Sequence, residues 1–114
     1  MNDINIDVTE SINNELNTND VVLFMKGTPD FPMCGFSAAT VQVLKNLGIN
    51  FNSVNVLDSN DMREGIKKFS DWPTIPQLYV KKEFIGGCDI VKEMYESGEL
   101  LELLNSRGIQ VKPS

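Results

Sequence analysis

Apolar residues in this chain follow two patterns that alternate from one end to the other. Val8, Ile12 and Leu16 recur at every fourth position, which predicts the buried face of a helix. Val21–Met25 is apolar throughout and predicts a strand that is buried on both faces. The same patterns predict seven further segments: a helix with Val41, Leu44 and Leu47; a strand at 51–56; a helix with Met62, Ile66 and Phe69; strands at 78–80 and 84–85; a helix from Asp89 to about Gly98; and a helix with Leu100, Leu103 and Leu104.

Turn-forming residues separate these segments. Gly48 stands where a helix C-cap is expected, and Ser59 or Asn60 is a suitable N-cap for the next helix. Two prolines exclude regular structure from residues 26–33, and two more interrupt the chain at 72–77. The resulting order αβαβαββαα predicts an α/β domain in which helices flank both faces of a mixed four-stranded sheet.

Length and charge narrow the class of protein. At 114 residues the chain accommodates one domain, residues 1–114, and no repeat or linker divides it. A net charge of −6 provides no overall field that would attract nucleic acid or an anionic membrane. No apolar run is long enough to span a membrane, and the acidic first ten residues lack the features of a signal or transit peptide. We therefore expect a cytoplasmic protein, or one that has already been processed.

Two cysteines and no histidine restrict the chemistry. The absence of histidine excludes Ser-His-Asp triads, Cys-His dyads and imidazole metal ligands within this chain. Two thiols are too few to enclose a structural zinc ion, and in a reducing compartment we expect both to be free. Sulfur, carboxylates, lysine and arginine are the remaining candidates for a functional site.

Cys34 is the first candidate for a reactive group. It follows the proline-containing loop and opens a predicted helix, where unpaired N–H groups would stabilise a thiolate and lower the thiol pKa. The alternative is a small apolar residue of the core. Ser37 occupies the position of the second thiol in a Cys-x-x-Cys pair, so this site cannot close that disulfide. Cys34 then needs another partner: an outside thiol, a metal, or Cys88.

Cys88 is a more ambiguous candidate. It follows Gly86-Gly87, where the absence of side chains would let a ligand approach the backbone closely. The helix predicted to begin at Asp89 would offer N–H groups to a carboxylate. The alternative is a buried cysteine in an ordinary turn between a strand and a helix.

Four other positions have ordinary structural interpretations when each is considered alone. Lys26 and Arg63 are typical surface cations, and Trp72 is typical of a core. The bond between Ile75 and Pro76 would be trans on frequency alone, since only about 5–6% of such bonds are cis in folded proteins.

Four blocks of the sequence occur together in an informative order and spacing. They are Phe24-Met25-Lys26-Gly27-Thr28-Pro29, Pro32-Met33-Cys34-Gly35-Phe36-Ser37, Trp72-Pro73-Thr74-Ile75-Pro76-Gln77 and Gly86-Gly87-Cys88-Asp89. Together they resemble the monothiol glutaredoxins of the Cys-Gly-Phe-Ser type, and the resemblance extends from about Ile12 to about Leu104. It implies a thioredoxin-like fold and a cis bond before Pro76.

The resemblance also implies a glutathione site. Lys26 and Arg63 match the family's cations for the glycyl carboxylate, and the main chain of Ile75 would pair with the cysteinyl part. Cys88 and Asp89 would take the γ-glutamyl end, with helix N–H groups on its carboxylate and the Asp89 side chain on its ammonium group.

The family typically binds a 2Fe-2S cluster at a dimer interface. Such clusters are usually held by four thiolates, which one chain of this composition cannot supply. The resemblance therefore implies a homodimer in which two Cys34 sulfurs and two glutathione thiolates hold the cluster. It further implies a carrier that receives the cluster and passes it to apo iron–sulfur proteins.

Two other functions would use Cys34 and the same glutathione site. One is glutathione-dependent removal of glutathione from modified proteins, for which this family's long loop before Cys34 is thought to be poorly suited. The other is an iron-status adaptor with a BolA-family partner, which would supply a histidine ligand that this chain lacks. We rank the carrier first, the adaptor second and the reductase third, so that enzymatic turnover is expected to be weak.

Overall fold

The computed structural model describes residues 3–112 and contains nine helices and strands and one short 3-10 helix within them. They are α1 (Asp3–Thr18), β1 (Val21–Met25), α2 (Gly35–Leu47), β2 (Asn52–Asn55), the 3-10 helix (Val56–Asp58), α3 (Asn60–Ser70), β3 (Gln77–Val80), β4 (Glu83–Gly86), α4 (Cys88–Ser97) and α5 (Glu99–Ser106). The predicted order αβαβαββαα is confirmed. Within residues 3–112, no helix has both the length and the apolar sequence needed to cross a membrane.

The four strands form one mixed sheet in the order β2-β1-β3-β4. Strand β1 pairs in parallel with β2 and antiparallel with β3, and β3 is antiparallel to β4. A parallel pair needs a crossover connection, which α2 provides. The predicted mixed four-stranded sheet is therefore confirmed.

Alternate side chains of β1 enter two different layers of the core. Val21, Leu23 and Met25 pack on the face covered by α2, α4 and α5. Val22 and Phe24 pack on the opposite face, which α1 and α3 cover. Because both faces of the sheet are covered, every residue of β1 is buried, and this explains its continuously apolar sequence.

Two predicted helix caps can be compared with the structure. Gly48 adopts the left-handed conformation, with φ of 64°, and its N–H donates to the Lys45 carbonyl oxygen at 3.0 Å. Ser59, rather than Asn60, is the N-cap of α3, and its hydroxyl oxygen accepts a hydrogen bond from the Met62 N–H at 3.1 Å. The short polar side chain at this position thus satisfies one of the unpaired donors of the helix start.

Several predicted boundaries differ from the structure by one or two residues. The strand expected at 51–56 is shorter, because Val56 is buried in a 3-10 helix rather than in the sheet. Helix α2 begins at Gly35, directly after Cys34, as the sequence predicted. Helix α4 begins at Cys88, one residue earlier than Asp89. Cys88 therefore lies closer to its helix start than the pattern indicated.

The strand register brings four connecting segments to one end of the sheet. Segments 26–34 and 56–59 follow the parallel strands β1 and β2 and therefore leave the sheet at the same end. Segment 71–76 leads into β3 at that end, because the first residue of β3 pairs with Phe24 near the end of β1. Segment 87–88 follows β4, whose last residue lies opposite Leu78. The Cys34 and Cys88 helix starts thus share one end of the molecule.

Candidate functional site

The loop that follows β1 is held in shape by its own backbone. The Met33 N–H donates to the Lys26 carbonyl oxygen at 2.9 Å. At the tip, Thr28 and Phe31 exchange two N–H···O bonds of 3.2 and 3.0 Å. The irregular segment predicted from the prolines is therefore an ordered loop that returns the chain to the end of β1 just before Cys34.

Cys34 is the N-cap residue of α2 and is partly exposed as a free thiol. The pKa of this thiol is lowered from its ordinary value, chiefly by the backbone N–H of Ser37. Desolvation opposes this effect, whereas the N–H of Phe36, the positive charge of Lys26 and the Ser37 hydroxyl reinforce it. Its partial exposure excludes the alternative of a buried core cysteine, and its surroundings favour the thiolate.

A second helix start borders a cavity at the same end of the molecule. Helix α4 begins at Cys88 with Gly87 as N-cap, so no cap side chain occupies its first N–H groups. The cavity has a volume of about 200 Å³ and combines aromatic and aliphatic walls with few polar groups. It is lined by Phe36, Trp72, Thr74, Ile75, Pro76, Gly87, Cys88, Asp89 and Ile90.

Gly87 keeps the space between the start of α4 and the facing segment free of a side chain. A Cβ atom at this position would lie 3.2 Å from the Pro76 carbonyl oxygen and 3.4 Å from Nε1 of Trp72. The absence of a side chain thus leaves the backbone of the helix start open to a ligand. The bond between Ile75 and Pro76 on the facing segment is cis, as the family resemblance implied and against the expectation from frequency alone.

Three of the six residues predicted for the site line this cavity. Ile75 is buried there, Cys88 is partly exposed and Asp89 is exposed in the first turn of α4. The Asp89 carboxylate forms no ion pair within the described part of the chain, so it is available to a cation. The roles of these residues toward glutathione stay predictions.

The other three predicted residues lie outside the cavity lining. Lys26 is close enough to Cys34 for its charge to favour the thiolate. The Arg63 guanidinium donates to Oδ1 of Asn60 at 2.6 Å and lies 3.7 Å from the Glu64 carboxylate. The atom nearest that carboxylate is Nε, which is buried and forms no hydrogen bond among the described residues.

Trp72 is not the core residue that its large apolar side chain predicted. Its side chain is 38% exposed, packs on Phe84 with ring centroids 5.9 Å apart, and lines the cavity. The prediction was wrong because segment 71–76 lies beyond the end of the sheet, where the indole borders the cavity instead of the core. Sequence reasoning also missed Phe36, Thr74 and Ile90, whose only signal was closeness in the chain to residues already identified.

Asn55 is a further residue that sequence reasoning missed. Its Oδ1 accepts hydrogen bonds from the Gly27 N–H at 2.9 Å and from the Leu57 N–H at 3.0 Å. The last residue of β2 therefore anchors the start of the loop that leads to Cys34. An asparagine at the end of a strand, where its side chain commonly bonds to nearby backbone, was the available signal.

Large apolar side chains are exposed around both helix starts. Phe31, Met33 and Phe36 are 77%, 69% and 62% exposed, and all three lie within three residues of Cys34 in the sequence. Trp72 and Ile90 are also exposed beside the cavity. Clustered apolar side chains at the surface are typical of interaction sites.

Comparison with known proteins identifies the family of this chain. The sequence profile described as Glutaredoxin matches residues 21–85. The chain is 54% identical over 104 residues to the mitochondrial monothiol glutaredoxin-5 of Saccharomyces cerevisiae, covering 89% of this chain and 69% of that protein. It is 52% identical over 101 residues to "Probable monothiol glutaredoxin 2" of Rickettsia typhi, covering 89% of this chain and 91% of that protein.

A solved structure shows the same fold. The chain is similar to the solution structure of a monomeric truncated mutant of Trypanosoma brucei 1-C-Grx1, with a TM-score of 0.84, 43% identity, and coverage of 92% of this chain and 96% of the other. The predicted thioredoxin-like fold is thereby confirmed. Because one relative is named as mitochondrial and another is bacterial, the cytoplasmic location stays a prediction. The sequence and structural similarities together show that the chain belongs to the glutaredoxin family and, within it, to the monothiol glutaredoxins.

Proposed function

We propose that this monothiol glutaredoxin carries a 2Fe-2S cluster between two copies of the chain and delivers it to apo iron–sulfur proteins. The observation that carries this proposal is the setting of Cys34. It is a partly exposed thiol with a lowered pKa at the start of α2, and three exposed apolar side chains lie within three residues of it in the sequence. A second protein surface can therefore approach the sulfur directly.

The ligand supply of the chain supports sharing the cluster between two copies. Four thiolates usually hold such a cluster, and the chain has two cysteines and no histidine. Two Cys34 sulfurs and two glutathione thiolates would complete the set. Because the thiolate is the form that binds metal, the lowered pKa of Cys34 favours this role.

The cavity at the start of α4 suits the γ-glutamyl end of glutathione. The carboxylate of that group matches the first N–H groups of α4, to which no cap side chain bonds, and its ammonium group matches the exposed carboxylate of Asp89. We assign the main chain of Ile75 to the cysteinyl part, because Ile75 lines the same cavity. Cys88 contributes its backbone N–H rather than its sulfur.

We assign the glycyl carboxylate of glutathione to Lys26 and Arg63. Lys26 directly follows β1, and Arg63 lies near the start of α3, shortly after β2. Because β1 and β2 are parallel, both cations lie at the end of the sheet that carries Cys34. The Arg63 side chain is partly exposed, so its charge can attract an anion at this end of the sheet.

Cluster transfer to a second protein tests the carrier role. The protein would be loaded anaerobically with ferrous iron, sulfide and glutathione, and mixed with an apo 2Fe-2S ferredoxin. We expect circular dichroism to show a holo-ferredoxin spectrum faster than equal amounts of free iron and sulfide produce it. A loaded protein that retains its cluster would contradict the carrier role. Release only when a BolA-family protein is added would instead support the adaptor.

The lowered pKa of Cys34 also favours a second function, the removal of glutathione from modified proteins. The Cys34 thiolate would attack the glutathionyl sulfur of a mixed disulfide, displace the protein thiolate and become joined to glutathione. Attack by a second glutathione thiolate would then release Cys34 and form oxidised glutathione. Steady-state turnover of a glutathionylated protein as fast as that of a dithiol glutaredoxin would make this the principal function.

A further inference from the structure

Ser37 occupies the position of the second cysteine in a Cys-x-x-Cys pair, and its hydroxyl makes a hydrogen bond to the backbone. Its side chain is completely buried, and its Oγ accepts a hydrogen bond from the Lys26 N–H at 3.1 Å. Lys26 is the first residue after β1, so its N–H lies beyond the last strand residue and requires another acceptor. The hydroxyl of Ser37 supplies that acceptor from the first turn of α2.

The backbone of Lys26 also forms a hydrogen bond to the residue that precedes Cys34. Its carbonyl oxygen accepts a hydrogen bond from the Met33 N–H at 2.9 Å. Lys26 is therefore bonded both to the residue just before Cys34 and to the third residue after it. These two bonds bracket Cys34 and fix the position of the Lys26 backbone relative to the thiol.

We propose that Ser37 is a positioning residue whose hydroxyl holds Lys26 beside Cys34. A hydroxyl suits this position, because alanine offers no acceptor and cysteine offers only a weak one with a larger atom in a completely buried place. The lysine charge can then act on the sulfur and on an anion bound next to it. The part of this inference that concerns glutathione rests on the proposed function, whereas the hold on Lys26 does not.

Amide hydrogen exchange at Lys26 tests the hydrogen bond directly, in the protein without ligand. Thr40→Val is the matched control, because Thr40 is another buried hydroxyl residue of α2, and its Oγ1 donates to the Phe36 carbonyl oxygen at 2.9 Å within the helix. We expect the Lys26 N–H to exchange about tenfold or more faster in Ser37→Ala than in wild type. We expect Thr40→Val to leave it near the wild-type rate.

Two conservative variants separate the hydroxyl from the size of the side chain. Ser37→Cys, kept reduced, should exchange at Lys26 nearly as fast as Ser37→Ala, whereas Ser37→Thr should restore slow exchange because it retains the hydroxyl. Ser37→Ala adds no atoms, so it decides the question even if the extra methyl of threonine prevents folding. Wild-type exchange at Lys26 in Ser37→Ala would overturn the proposal.

A double-mutant cycle tests whether Ser37 acts through Lys26. Glutathione affinity would be measured by calorimetry for Ser37→Ala in the wild-type and Lys26→Met backgrounds. We expect a loss of about threefold to tenfold in the first background and of less than about twofold in the second. An equal loss in both backgrounds would show a general structural effect and overturn the positioning role.

The same cycle has a readout that does not depend on glutathione. If the wild-type protein binds no glutathione, the proposed function fails, but the positioning role can still be tested. The same double-mutant cycle is then measured on the rate of Cys34 alkylation by iodoacetamide at one pH, in a Cys88→Ser background. The Ser37 hydroxyl also favours the Cys34 thiolate directly, so part of the slowing in Ser37→Ala should persist in the Lys26→Met background. A clearly smaller slowing in that background than in the wild-type background supports the positioning role. An additive effect of the two substitutions overturns it.

Discussion

The two cysteines of this protein stand at two helix starts that differ in the residue that caps them. Cys34 is itself the N-cap of α2; its side chain forms no cap hydrogen bond there, but the nearby backbone N–H groups of Ser37 and Phe36 lower the pKa of its thiol. Cys88 is the first residue of α4, and the cap there is Gly87, which has no side chain to occupy those groups. One helix start therefore stabilises the chain's own thiolate, and the other is open to a ligand.

The glycines next to the two cysteines also differ in their surroundings. A Cβ atom at Gly35 would meet nothing within 4 Å, whereas one at Gly87 would contact Pro76 and Trp72. The α2 start is thus exposed to a partner, and the α4 start is enclosed by the facing segment. Two similar sequence signals, a cysteine that follows a turn and begins a helix, support different tasks because the cap and its surroundings differ.

Of the changes at the two helix starts, removal of the Cys34 sulfur should have the largest effect on cluster binding. Cys34→Ser retains a preferred N-cap residue, so we expect the fold and the melting temperature to be preserved. We expect no cluster absorption after anaerobic reconstitution, because the proposed protein ligand is lost. Visible absorption and thermal denaturation measure the two effects. A Cys34→Ser protein that binds a full cluster would refute the ligand assignment.

Obstruction of the α4 start should have the next largest effect. Gly87→Ala adds a Cβ that crowds Pro76 and Trp72, so we expect glutathione affinity to fall about fivefold or more, as measured by calorimetry. Gly35→Ala is the matched control, because its Cβ meets nothing, and it should change the affinity by less than about twofold. Equal losses in the two variants would show that the two helix starts do not differ in this way.

The pH dependence of alkylation tests whether the start of α2 stabilises the Cys34 thiolate. Only the thiolate reacts, and the N–H of Ser37 in particular lowers the pKa of Cys34, so the rate should reach half its maximum at a lower pH than for an unperturbed thiol. The contribution of the thiolate to stability is likewise present above the unfolded pKa and lost as the pH falls through the lower folded pKa.

Lys26→Gln removes one of the charges that favour the Cys34 thiolate, so it should move the alkylation midpoint upward. The measurement uses iodoacetamide across a pH series in a Cys88→Ser background, which leaves a single thiol. A midpoint that stays in place or moves downward would show that the lysine charge does not act on the sulfur.

The smallest effect is expected for Cys88→Ser. We assign the backbone of this residue, rather than its sulfur, to the ligand, so both cluster absorption and glutathione affinity should remain within about twofold of wild type. The same reconstitution and calorimetry measure both. A colourless Cys88→Ser protein would show that the Cys88 sulfur is needed and that the two helix starts are functionally alike.

The fold was predictable wherever burial imposes a regular pattern. Val21–Met25 is apolar throughout because helices cover both faces of the sheet, and Gly48 ends α2 because the left-handed conformation suits glycine. Val56 was assigned to a strand because it is apolar and buried, yet it belongs to a 3-10 helix. Three residues are too few for periodicity to distinguish these two conformations.

The candidate site was predictable only in part, because its contacts join segments that are distant in sequence. The position of Cys34 at a helix start was visible locally, whereas the bond from Lys26 to Ser37 spans eleven residues. Likewise, the cavity joins segment 72–76 to the start of α4 through the sheet register. The cis bond before Pro76 followed only from the family resemblance.

The central claim is that glutathione completes the ligand set around two Cys34 thiolates. Its most direct test is anaerobic reconstitution of the wild-type protein with ferrous iron and sulfide, with and without glutathione, followed by visible absorption and size-exclusion chromatography. We expect a coloured dimer that forms only when glutathione is present. A colourless monomer under both conditions, or a coloured protein that forms equally well without glutathione, would contradict it.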